Sequence, residues 1–203
     1  MDLKEIWYKI NHFHFKVSHS TTILLGVVMT VLLMAYCVTG IIQFIVMKAM
    51  YPELFIASYC LWLVISSLCL VFRLDKPLLF LGLYMVVIAA DRFITLYITV
   101  VEGGLEDIDY IETIFAAIML INGVRWCLGM VRTKIFAIIS SAVFLLIDMD
   151  YMQYVAEYMR FDETLLFLVT SILLQMFYAM MIVMLLCNDI TGEDTKIADL
   201  DKK

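Results

Sequence analysis

The chain alternates long apolar runs with short polar breaks. The runs cover residues 20–47, 54–72, 78–101, 111–131, 135–155 and 164–187. A helix that crosses the hydrocarbon core of a bilayer needs about 20 apolar residues, and most of these runs meet that length. The pattern predicts an all-α fold: a polytopic transmembrane helical bundle of about six spans. A short amphipathic interfacial helix over 1–19 precedes it, and a polar tail over 188–203 follows it.

The runs differ in quality. The first is about 40 Å long as a helix, so it tilts or protrudes. The third is opened by Pro77, a residue suited to the first position of a helix. The fifth is cleanly apolar only from Ile135 to Ile147. That is about 20 Å of helix against about 30 Å of hydrocarbon. It either continues through Asp148 and Asp150 to Val155, with the acids near an interface, or it is re-entrant. Spanning is the preferred reading.

The N-terminal arm has a different rhythm. Leu3, Ile6, Trp7, Ile10, Phe13 and Val17 fall on one face of a helix, and Lys4, Glu5, Lys9, Asn11, His12 and Lys16 fill most of the rest. A basic amphipathic helix of this kind lies in the membrane interface. As a docking element it offers Trp7, Ile10 and Phe13 for apolar contact and Lys4, Lys9 and Lys16 for charge.

Composition agrees with the pattern. Of 203 residues, 64% are hydrophobic, well above the roughly 45–50% of soluble proteins, and the mean hydropathy is +0.97. Net charge is −6, which argues against nucleic acid as a partner, since that needs a basic surface. The five cysteines, Cys37, Cys60, Cys69, Cys127 and Cys187, lie in or beside apolar runs and read as free thiols packed as small hydrophobes. His12, His14 and His19 lack the carboxylate or thiol company of a metal site. No phosphate-binding loop, nucleophile–base pair or metal signature is present, so the expectation is a protein without cofactor, metal or catalytic residues.

Loop charge orients the spans. Lys4, Lys9 and Lys16, then Arg73 and Lys76, then Arg132 and Lys134 mark alternate breaks. The intervening ones hold Glu102, Glu106, Asp107, Asp109 and Glu112, and Asp148, Asp150, Glu157, Asp162 and Glu163 against Arg160. This expectation places both termini in the cytoplasm. Compactness, short loops and the charge bias point to a bacterial inner membrane.

The chemistry concentrates at membrane depth. Asp91 and Arg92 lie near the middle of the third span, where either charge costs at least about 2.5–3.5 kcal/mol on insertion scales. Adjacent residues are about 100° apart on a helix, so each needs a partner on another element. The fourth span offers Asn122 and Arg125 at comparable depth, and Asp91 is expected to pair with one of them, within one subunit or between two. Polar stripes follow helical spacing: Arg92, Thr95, Thr99 and Glu102; Asn122, Arg125, Gly129 and Arg132; Ser171, Gln175 and Tyr178. Such stripes either line a pathway or seal a bundle with interhelical hydrogen bonds.

The reading that follows is a non-enzymatic integral membrane subunit. It self-assembles in the bilayer and acts with a cytosolic or membrane protein partner, docked at the N-terminal helix and inner loops, as anchor, sensor or effector. The alternative is an oligomeric channel subunit using Asp91, Arg92 and Arg125. A second alternative is a small-solute transporter or its binding subunit.

Overall fold

A computed structural model describes residues 6, 9, 13–47, 52–72, 77–102, 104, 106–130, 133–158 and 161–187. Among the described residues are six long helices: α1 His19–Met47, α2 Pro52–Phe72, α3 Pro77–Glu102, α4 Asp107–Cys127, α5 Lys134–Tyr158 and α6 Phe161–Cys187. There is no strand among the described residues. Five helices, all but α4, are long and apolar enough to cross a membrane. The chain is a multi-pass helical membrane protein.

Helix boundaries follow local chemistry. α2 and α3 both begin on proline, whose fixed φ suits a first turn and whose missing N–H costs nothing there. α4 begins after Glu106, whose backbone N–H donates to the Asp109 carboxylate at 2.7 Å. Asp107 and Asp109 sit in its first turn and Arg125 in its last, each sign favourable to the helix dipole. Gly129 then turns the chain at φ 69°, a left-handed conformation that favours glycine. Its N–H donates to the Trp126 carbonyl at 3.1 Å, and that of Met130 to the Arg125 carbonyl at 2.9 Å. The fourth helix therefore stops at Cys127, short of the expected 131. Gly129 is a turn, not a member of a helical stripe that runs on to Arg132.

The fifth helix resolves in favour of continuity. It runs unbroken through Asp148 and Asp150 to Tyr158, because nothing in that stretch breaks a helix and Asp148 finds a partner inside the bundle.

The helices form a closed circuit. Each packs on its sequence neighbour, weakly in the case of α2 and α3, and α1 packs on α6 to join the two ends. The tightest seam is α3 with α4, where Gly82 faces Trp126 and Cys127, and Gly123 faces Gly82, Met85 and Val86. Two glycines let the backbones approach, as small residues do in membrane helix pairs. The core between helices is aromatic and methionine-rich, with Tyr84, Met85, Met119, Trp126, Phe144, Phe177, Tyr178 and Met181 all buried. Outward stripes such as Leu24, Val28, Val31, Val38, Ile42 and Ile45 on α1 are exposed and apolar, which fits contact with lipid.

The arm ends in irregular chain. Residues 13–18 are not helical, so the amphipathic helix expected over 1–19 does not reach Phe13 or Lys16. The reason lies in two ties to the bundle. The buried Lys134 ammonium donates to the Phe13 carbonyl at 2.7 Å, and the Phe15 N–H donates to the Leu186 carbonyl at 2.9 Å. A helix over this stretch would spend the Phe15 N–H internally. The arm, the start of α5 and the end of α6 thus meet at one end of the bundle.

Candidate functional site

Arg92 is the hub of the molecule. It projects from α3 into the space between α4, α5 and α6 and is 7% exposed. One terminal guanidinium nitrogen donates to Glu112 Oε1 on α4 at 2.9 Å. The other donates to Asp148 Oδ2 on α5 at 2.5 Å and to the Tyr178 hydroxyl on α6 at 2.7 Å. Nε donates to the same hydroxyl at 3.1 Å. The guanidinium carbon also lies 5.1 Å from the Phe144 ring centre and 5.5 Å from that of Tyr178, in range for cation–π attraction. Arginine suits this role because its planar fork serves several acceptors at once.

Asp91 faces the other way. Its Oδ2 accepts from the Tyr36 hydroxyl of α1 at 3.1 Å. Tyr36 and Tyr59 of α2 are hydrogen-bonded through their hydroxyls at 3.0 Å. The 100° between adjacent helical residues thus sends one charge toward α4, α5 and α6 and the other toward α1 and α2. Together the pair touches or links to every other helix.

Within one chain this replaces the expected pairing. Asp91 meets neither Asn122 nor Arg125. The Asn122 amide donates to the Thr133 carbonyl at 3.1 Å and to Met85 Sδ at 3.6 Å, and its oxygen accepts from the Thr133 hydroxyl at 3.2 Å. It pins the turn after α4 instead. Arg125 is half-buried in the last turn of α4 and makes no ion pair among the described residues. Thr95 and Thr99 donate to the carbonyls of Asp91 and Thr95 in their own helix, at 3.1 and 3.2 Å. Gln175 donates to Met152 Sδ at 2.8 Å and ties α6 to α5. The Glu102 side chain lies outside the described residues, as do Lys4, Trp7 and Ile10 of the arm. Lys9 and Lys16 are exposed, and Phe13 is exposed with its ring edge-on to Phe15 at 5.2 Å.

Sequence reasoning missed Glu112 and Asp148 as partners, counting both among the solvated outer acids. A signal was present. Glu112 shares the buried face of α4 with Ala116, Met119 and Gly123, and Asp148 shares that of α5 with Ala137, Ser141 and Phe144. An acid in register with a core stripe is a buried acid.

Among the described residues no group of three or more His, Cys, Asp or Glu is placed to hold a metal ion. The five cysteines are free thiols. No family model matches the chain, and neither a curated protein nor a solved structure is significantly similar to it.

The tyrosine relay makes a prediction. Tyr36→Phe removes the hydroxyl that serves both Asp91 and Tyr59. It is expected to lower stability by about 1–3 kcal/mol, the cost of leaving a buried acceptor unmet. Tyr97→Phe, at an exposed position, should change nothing. Thermal unfolding of the two variants in the same detergent checks this, and equal melting temperatures would remove the relay from the account.

Proposed function

We propose that the chain is a non-enzymatic integral membrane subunit that self-assembles and acts with a partner protein as anchor, sensor or effector. Its setting is a bacterial inner membrane, with both termini cytoplasmic. The observation that carries this reading is the Arg92 hub. All three guanidinium nitrogens are bound by the protein's own Glu112, Asp148 and Tyr178. Four of the five Arg92 N–H donors are spent inside the protein, and they join four helices, which is what a structural lock does.

The orientation rests on two observations. The basic breaks of the sequence alternate with the acidic ones, as the charge rule requires of cytoplasmic loops. The end of the bundle where the arm meets Lys134 and Leu186 belongs to the basic set.

Native mass measurement and single-channel recording on one nanodisc preparation test the proposal together. The expected result is an assembly of fixed size that carries no current. A conductance abolished by Arg92→Ala would overturn it in favour of a pore. A strict monomer that binds no partner would overturn it as well.

A further inference from the structure

A small cavity lies on the Asp91 side of the hub, bounded by Tyr36, Trp62, Asp91 and Tyr178 among apolar neighbours. Its volume is about 10 Å³, room for one water molecule. Two residues that line it each carry a buried side-chain atom with no hydrogen-bond partner among the described residues: Asp91 Oδ1 and Trp62 Nε1. Both residues are more than nine-tenths buried, at 8% and 7% exposure. Buried polar atoms in folded proteins are nearly always satisfied, so two residues with unmet polar atoms around one water-sized space mark a candidate site.

Charge says what it binds. Asp91 and Glu112 are buried carboxylates and Asp148 is a part-buried one, and Arg92 is the one guanidinium among them. Fully ionised, the group holds two negative charges in excess at membrane depth, where uncompensated charge is costly. The titratable and charged groups around Asp91 are Tyr36 and Cys37 from α1, Tyr59 from α2, Arg92 from its own helix, Glu112 from α4, Asp148 from α5 and Tyr178 from α6. Only the Arg92 charge and the Tyr36 hydroxyl, which donates to Oδ2, offset the Asp91 charge. Arg92 has directed its donors to the other two acids.

A metal cation is a poor fit. The cavity offers oxygen only from Asp91 and two tyrosine hydroxyls, and the Trp62 N–H is a donor that a cation cannot accept from. Leu33, Val87, Ile88 and Leu174 complete the wall and supply no ligand. A proton fits.

We infer that Asp91 is a proton-binding site, with Oδ1 as the acceptor atom and the cavity beside Trp62 as its hydration space. A proton from bulk water forms an O–H bond on Oδ1 and removes one of the excess negative charges, with no other reactant consumed. Oδ2 remains a carbonyl oxygen able to accept from Tyr36, so the relay to Tyr59 survives proton binding. A water in the cavity accepts from both the new O–H and the Trp62 N–H. The inference concerns the occupant of the site and is independent of oligomeric state or partner, so its failure and that of the functional proposal are separable.

Infrared spectroscopy of the full chain in nanodiscs, titrated with acid in H2O and in D2O, tests it. The expected result is a reversible carboxylic-acid carbonyl band of a buried acid that shifts in D2O and is lost in Asp91→Asn. Tyr36→Phe leaves Asp91 in place and should move the band to higher frequency, because the carbonyl loses its donor. That variant decides the matter if Asp91→Asn does not fold. A band that persists in Asp91→Asn, or does not move in Tyr36→Phe, assigns the proton elsewhere and overturns the inference. Absence of any such band at every pH where the protein stays folded overturns it too. So does a band that disappears when sodium is added at constant pH, which would make the site a cation site.

Discussion

Arg92→Met costs the bundle about 3–5 kcal/mol, the usual loss when one partner of a buried ion pair is removed. The variant is expected to aggregate on extraction or to melt far below the parent. The cause is specific. Glu112 and Asp148 lose the guanidinium that both contact directly, and the Tyr178 hydroxyl loses two donors. Two acids are then left in a low-dielectric interior with no cation. The triple variant Arg92→Met, Glu112→Gln, Asp148→Asn should recover much of the loss, because it removes the stranded charges together with their partner. Size-exclusion profiles and thermal melts of the single and triple variants check this. A triple no better than the single would mean that packing of the arginine stem, not charge, is what the bundle needs.

Gly123→Ala is expected to destabilise by about 1–3 kcal/mol, the range for overpacking a tight contact, and Gly123→Val by more. A Cβ at this position would lie 2.8 Å from the Gly82 carbonyl oxygen and 2.8 Å from Met85 Cβ. Backbone is among the obstacles, so α3 and α4 must separate rather than a side chain rotate. Intrinsic helix preference runs the other way, favouring alanine over glycine by about 1 kcal/mol, so a net loss reports the seam. Gly26→Ala is the control. Its new Cβ meets only Met184 Cε at 3.9 Å, an ordinary contact, and it should be neutral or slightly stabilising. Denaturant unfolding of the three variants decides. If Gly123→Ala matched Gly26→Ala, the α3–α4 contact would not be close-packed in solution.

These two effects differ in how far the chain's own pattern announces them. A charged pair in the middle of an apolar run is visible without coordinates, and so is its need for partners on other helices. Asp91 and Arg92 stand out on those grounds alone. Their partners do not. Asn122 and Arg125 match Asp91 in depth along the fourth run, yet depth along a helix leaves the rotation about its axis free. In the bundle Asn122 turns to Thr133 and Arg125 sits in the last turn, while Glu112 turns inward. The Gly82–Gly123 contact is hidden for the same reason: either glycine alone is an unremarkable residue in a span, and only the facing of α3 on α4 makes them a pair.

What the chain determined by itself is what depends on local and solvent forces. Runs of apolar residues about as long as a bilayer is thick give helices and a membrane location, because an unpaired backbone in hydrocarbon is too costly for anything else. Pro52 and Pro77 open helices, and Gly129 closes one, through their own φ preferences. What only the tertiary structure decided is which buried polar groups meet. Asp148 and Glu112 sit beside loop acids in the sequence and belong to the core in space. Residues 13–18 leave the helical pattern because Lys134 and Leu186, more than a hundred residues away, claim the Phe13 carbonyl and the Phe15 N–H. Helix formation is set within a few residues of chain, whereas the rotation and neighbours of each helix are set by side-chain fit and charge compensation across the whole bundle.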